Sequence, residues 1–181
     1  MIFNNNYFTI STNTSSSGST YIPTPNCNFS YFLVYRPDLV DSASNRYVIY
    51  NGTSANNNGY GYYFLSNYRR LVFTTINTPA VGGMVTDVGN EVISMVYNSS
   101  QIGTTVTSQP YKTTLNGSEA SATVSCKQPD SAAFFQIGFG RNATLPWAGY
   151  ISEIIFFDRA LKDEERNSIR SYLAQKYSLP T

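Results

Sequence analysis

The chain contains no histidine, two cysteines and one tryptophan in 181 residues, and only 13% of its residues are charged. The absence of histidine removes histidine-based catalytic triads and histidine-ligated transition-metal sites. Cys27 and Cys126 are too few for a disulfide framework, so one bridge and two separate buried thiols are both open readings. No apolar run approaches the length of a membrane-spanning helix, and the opening residues MIFNNNYFTIS lack the basic region and apolar core of a secretory leader. The expectation is a chain that does not insert in a membrane. Twelve Lys and Arg stand against eleven Asp and Glu, so no net field favours nucleic acid or an anionic lipid surface.

What is abundant is uncharged and polar or aromatic. Ten of the 23 charges lie after position 150, which leaves 13 for the first 150 residues. Asn, Ser, Thr and Tyr must therefore keep most of the surface wet. Hydroxyls and amides beside aromatic rings suit neutral sugars, which offer CH faces for stacking and hydroxyls for hydrogen bonds. They equally suit an extracellular or virion surface that avoids charge-driven adhesion. Asn-x-Ser/Thr sequons occur at Asn13, Asn28, Asn51, Asn98, Asn116 and Asn142, many of them expected by chance in so Asn-rich a chain. With 41% hydrophobic residues the chain is long enough for one sizeable core, so residues 1–181 read as a single domain.

Hydrophobic periodicity predicts ten to thirteen short strands and one helix. Residues 3–10 read as a first strand and 11–25, rich in Ser, Thr, Gly and Pro, as a loop or weak edge. Residues 28–36 (NFSYFLVYR) carry aromatics on both faces, as a central strand does. Strands follow at 46–51 and at 60–65 with 70–76, the last two joined through residues 66–69; residues 79–90 read as a loop around Gly82-Gly83. Residues 91–97 (EVISMVY) form a strong strand, and 98–110 read as an inserted loop or extra strand pair. Asn116-Gly117 is the strongest hairpin signal, because both turn positions need positive φ. After a strand at 134–139, the loop NATLPWAG brings Trp147 to the edge of a final strand that is apolar on both faces. Leu161, Ile169, Tyr172, Leu173 and Tyr177 then recur at helical spacing, giving a helix over about 162–177 whose cap passes from Lys162 to Asp163.

The order G-Y-I-S-E-I-I-F-F-D-R-A-L at 149–161, then D-E-E-R and a helix ending Y-L-A-Q-K-Y, resembles the C-terminal signature of the concanavalin A-like lectin/glucanase superfamily, in its laminin G-like branch. The strand FSYFLVYRPD at 29–38 and the Gly-Arg-Asn turn at 140–142 extend that resemblance over about residues 28–179. It implies an all-β fold: a two-sheet antiparallel jelly-roll sandwich with one C-terminal α-helix packed on it.

Superfamily glucanases carry a carboxylate pair in the pattern E-x-D-x-x-E, and no such spacing occurs here. Asp87 and Glu91 are four residues apart, Glu153 stands alone on its strand, and Asp163, Glu164 and Glu165 suit a helical first turn. Structural use of these acids is expected, and no catalytic residue is assigned. No cofactor is expected either; relatives that bind calcium do so through oxygen-rich loops, and the loops at Asp38/Asp41 and Asp87/Asn90 keep Ca²⁺ open. Lectin-like relatives meet ligands at loop rims or on a concave sheet face. By that analogy Tyr60, Tyr62, Tyr68, Arg69, Asn142 and Trp147 are the candidate ligand-binding residues. The competing reading places the tyrosines in core or cross-strand pairs and Trp147 against the core, as the family often has it. The leading functional expectation is a non-enzymatic carbohydrate-binding or adhesion module outside a cell or on a virion. Alternatives are a structural virion or surface-assembly protein, partnered by other subunits or by copies of itself, and a glycoside hydrolase.

Overall fold

In a computed structural model the described residues of the chain form twelve strands and one helix. The residues described are 2–4, 8–9, 28–38, 45–52, 59–73, 76–84, 89–98, 105–127, 134–138 and 146–179. Cys27, the Cys126 side chain, Asp41, Asp87 and Asn142 lie outside them, so neither the cysteine pairing nor the two calcium loops are described.

The strands are β1 (Ile2–Asn4), β2 (Phe8–Thr9), β3 (Phe29–Pro37), β4 (Asn45–Gly52), β5 (Gly59–Leu65), β6 (Tyr68–Phe73), β7 (Ile76–Met84), β8 (Glu91–Tyr97), β9 (Thr105–Leu115), β10 (Ser118–Lys127), β11 (Phe134–Ile137) and β12 (Ala148–Phe157). They make two six-stranded sheets, ordered β1-β12-β3-β8-β9-β10 and β2-β11-β4-β5-β6-β7. Every pairing is antiparallel. The expected two-sheet sandwich is therefore present, with β3 and β12 inside their sheet.

Local differences have identifiable causes. The single strand expected at 3–10 is two short strands, one in each sheet. Part of the expected loop at 79–90 is strand, since β7 runs through Pro79 at an edge where no ladder donor is required. The expected insertion at 98–110 contains the start of β9, which runs into the Asn116-Gly117 hairpin. Both turn residues there have positive φ, 45° and 89°. The β5–β6 turn is only Ser66-Asn67, again both at positive φ, so Tyr68 and Arg69 belong to the strand and not to the loop. In β12 a bulge at Ser152 breaks the register between Ile151 and Glu153. It puts Ile151 on the core side with Ile154 and Phe156, whereas simple alternation would pair it with Ile155 and Phe157.

Between the sheets lies one aromatic-rich core. Phe29 stacks on Tyr60 with ring centroids 3.8 Å apart, and Phe156 lies 6.3 Å from Phe29. The interior tyrosines keep their hydroxyls paired where partners are near: Tyr60 accepts from Asn51 Nδ2 at 2.7 Å and Tyr97 donates to the Val124 carbonyl at 2.7 Å. Asn51 is thus fully buried and its sequon is inaccessible.

Helix α1 (Asp163–Tyr177) covers the outer face of the first sheet. Leu161, Ile169, Leu173 and Tyr177 pack on Phe32, Val34, Val92, Ile155 and Phe157. Burying each such aliphatic side chain is worth about 1.5–3 kcal/mol, enough to hold a helix that would be marginal alone. Tyr172, expected on this stripe, is 48% exposed and accepts a hydrogen bond from Lys176 Nζ. The N-cap is Lys162, in extended conformation, and not Asp163. Lacking a short capping oxygen, Lys162 has its amide satisfied by Glu165 Oε2 at 3.0 Å. Three of the acids make such contacts: Glu165 also receives both Arg159 Nη atoms, Asp163 receives Lys112, and Glu153 receives Lys176 and Tyr177.

Candidate functional site

With α1 on the first sheet, the outer face of the second sheet carries no helix among the described residues. Alternation along the hairpin β5–β6 decides which residues reach it. Tyr60, Tyr62 and Phe64 point into the core, as do Arg69 and Leu71. Tyr63 and Leu65 point outward, and their register partners across the turn are Arg70 and Tyr68. β4 adds Tyr47, opposite Tyr63, and Tyr50 beyond a bulge. Tyr47 stacks on Tyr63 at 4.9 Å and meets Tyr50 edge-on at 5.3 Å; all three rings are buried. Gln136 of β11 lies opposite Tyr50, with its buried Oε1 unpartnered. Towards the Ser66-Asn67 turn this face opens. Tyr68 is 45% exposed and the half-buried Arg70 guanidinium lies 5.8 Å from its ring centroid. Asn67 in the turn is half-buried and leans to the other side, its Oδ1 accepting from Nη2 of Arg46, the register partner of core-facing Phe64, at 2.6 Å.

Behind this rim a polar strut joins the sheets. Glu91 of β8 lies opposite Tyr35 of β3. The Tyr35 hydroxyl donates to Glu91 Oε2 at 2.5 Å and lies 2.6 Å from the Tyr62 hydroxyl. Arg69 donates to the same oxygen through Nε at 2.9 Å and to Oε1 through Nη2. Burial opposes the Arg69 cation, but the Glu91 carboxylate outweighs it and holds the guanidinium above its ordinary value. Burial raises both the Tyr35 and the Tyr62 hydroxyls, with Glu91 adding to it. Nearby, Arg46 donates to the Asp38 carbonyl at 2.9 Å and lies 6.0 Å from the Trp147 ring, its own pKa lowered by burial.

The six residues named from sequence do not converge on one surface. Tyr60, Tyr62 and Trp147 are at most 1% exposed and Arg69 7% exposed, so they lie inside the sandwich and not on its surface. Trp147 packs on Phe64 and Tyr35 at 5.1 and 6.0 Å. Tyr68 alone is exposed among the described five, and Asn142 lies outside the described residues. Sequence reasoning missed Arg70 and the Tyr47/Tyr63 pair. The signal was there in period-two alternation: once the turn is two residues long, YRRL must send Tyr68 and Arg70 one way and Arg69 and Leu71 the other.

No family model matches the sequence, and no curated protein matches it. Solved structures do. The carbohydrate-binding module CBM40 of the Ruminococcus gnavus IT-sialidase superposes with a TM-score of 0.65 at 12% identity, covering 93% of this chain and 94% of that one. The same module bound to α2,3-sialyllactose gives 0.63 at 13% identity, covering 93% of each chain. A heptameric SAP-like pentraxin from Limulus polyphemus gives 0.58 at 13% identity, over 90% and 80%. The fold is a concanavalin A-like jelly roll. At these identities the likeness carries the architecture and leaves function to the site.

Proposed function

We propose that this chain is a non-enzymatic glycan-binding module, and that its ligand contacts the rim formed by Tyr68 and Arg70 on the outer face of the second sheet. The observation that carries the reading is the half-exposed Tyr68 ring with the Arg70 guanidinium beside it. A ring accepts the CH face of a sugar, and a guanidinium pairs a carboxylate. That set favours an acidic sugar over a neutral one. Similar modules solved with sialyllactose support the same class. Binding, and not hydrolysis, is supported by the commitment of Glu91 to Arg69 and Tyr35 and of Glu153 to Lys176 and Tyr177. The laminin G-like assignment rests on the signature at 149–177, and display outside a cell or on a virion rests on the uncharged polar surface.

The test is a glycan array holding neutral and sialylated glycans, run with and without calcium, followed by titration of any ligand found. Tyr68→Ala should weaken binding about tenfold or more, about 1.4 kcal/mol, and Arg70→Gln should weaken sialylated glycans while sparing neutral ones. Absence of any bound glycan, or binding untouched by both substitutions, overturns the reading.

A further inference from the structure

Among the described residues, three of the four sheet edges are short or interrupted. β1 offers three residues and β2 two, while β7 carries Pro79 and the Gly82-Gly83 pair. Short length, proline and irregular register are how sheet proteins blunt an edge against another chain. β10 has none of these over its first seven residues. It runs ten residues without proline or glycine, and 120–126 (ASATVSC) is uncharged. Among the described residues β10 pairs with β9 alone, in unbroken register from Ser118 to Val124, and Ser118, Glu119, Ser121, Ala122 and Thr123 are exposed.

The hairpin turn fixes which backbone groups are unspent. A two-residue turn with both residues at positive φ makes Leu115 and Ser118 a hydrogen-bonded closing pair. Bonded and non-bonded pairs then alternate, so Ser118, Ala120 and Ala122 direct their N–H and C=O groups to β9. Glu119, Ser121 and Thr123 direct theirs away from it. The one charge on this stretch does not guard the edge. Glu119 accepts from Arg166 Nη2 at 2.6 Å and lies 3.9 Å from Lys112 Nζ, so its charge is already neutralised from the helix side.

We propose that a second copy of this chain pairs antiparallel along β10 about a two-fold axis at Ser121, joining two six-stranded sheets into one continuous sheet. The occupant follows from self-complementarity. In this register Ser121 meets its own symmetry mate and Glu119 faces Thr123 on both sides, so no like charges oppose one another. Each of these three pairs exchanges two N–H···O bonds, and the small Ser, Ala and Thr side chains let the backbones approach. The surface lies on the first sheet and does not depend on glycan binding by the second.

Size-exclusion chromatography with light scattering on the full chain, across a concentration series, tests this. The expected mass is twice that of one chain, falling to one chain on dilution. Ser121→Pro deletes an amide that β9 does not use, and Ser121→Lys sets two cations face to face; each should give a monomer whose circular dichroism matches the parent. Ser171→Lys, on the exposed helix surface, should leave the dimer intact. If Ser121→Pro fails to fold, Ser121→Lys decides. A monomer at high micromolar concentration, or a folded Ser121 variant that stays dimeric, overturns the proposal.

Discussion

Substituting Glu91 by Gln should be among the most damaging single changes in this chain, and the reason is electrostatic. The side chain keeps its shape, so no cavity forms, but the Arg69 guanidinium, only 7% exposed, loses the Glu91 carboxylate that it pairs with. Removing one partner of a buried ion pair costs about 3–5 kcal/mol, against a total stability of about 5–15 kcal/mol for a domain. Arg69→Met inverts the fault. It strands a carboxylate with only the Tyr35 hydroxyl donating to it, and a cost of similar size is expected. The double variant Glu91→Gln/Arg69→Met removes both charges of the pair, and Tyr35 and Tyr62 still have each other at 2.6 Å. It should therefore be more stable than either single variant, with a coupling of about 3 kcal/mol. Urea unfolding followed by circular dichroism measures all four proteins. If the double variant loses the sum of the two single losses, the strut is not an energetic unit and the reasoning fails.

Two further outcomes follow from the packing. Gly149 sits at φ 137°, and a Cβ there would run into the Arg36 carbonyl and lie 3.0 Å from Pro37 Cα, so Gly149→Ala should cost about 1–3 kcal/mol or more by overpacking alone; an unchanged melting temperature would contradict it. Burial raises the Tyr31, Tyr35 and Tyr62 phenols, so the fold holds protons that the unfolded chain releases near its ordinary value of 10.0. Their contribution is complete below that pH and is lost as pH rises above it. Tyrosinate absorbance at these residues should appear together with loss of circular dichroism, and full ionisation of a still-folded chain would refute the burial.

The sheets and the terminal helix were legible because alternation and helical spacing are set by which residues must leave water. FSYFLVYR and EVISMVY could be nothing but interior strands, and LKDEERNSIRSYL nothing but a helix with one apolar stripe. The bulge at Ser152 was not legible. One extra residue re-phases every face after it and leaves no mark in composition. Nor does composition separate a tyrosine that stacks on sugar from one that fills a core, so both readings stand for Tyr60 and Tyr62 until their burial is seen. The hairpin at Ser66-Asn67 hid the outward pair for a related reason. Its positive-φ positions carry no glycine, so the turn looked longer than it is.

β6 shows why a charged residue occupies an interior position where an apolar one would fill the same space. Its neighbours on either side are Tyr68 and Arg70, both compatible with a solvent-facing rim, and Leu71 and Phe73 are the apolar positions that alternate with it. A slip of one residue would bring Tyr68 or Arg70 inward and send Arg69 out. Glu91, fixed opposite Tyr35 on the other sheet, penalises that slip, because only Arg69 reaches it with both Nε and Nη2. The buried pair thus specifies which face Tyr68 and Arg70 occupy, whatever its net contribution to stability. The chemistry on the outside of this sheet is held in place by an ion pair on the inside.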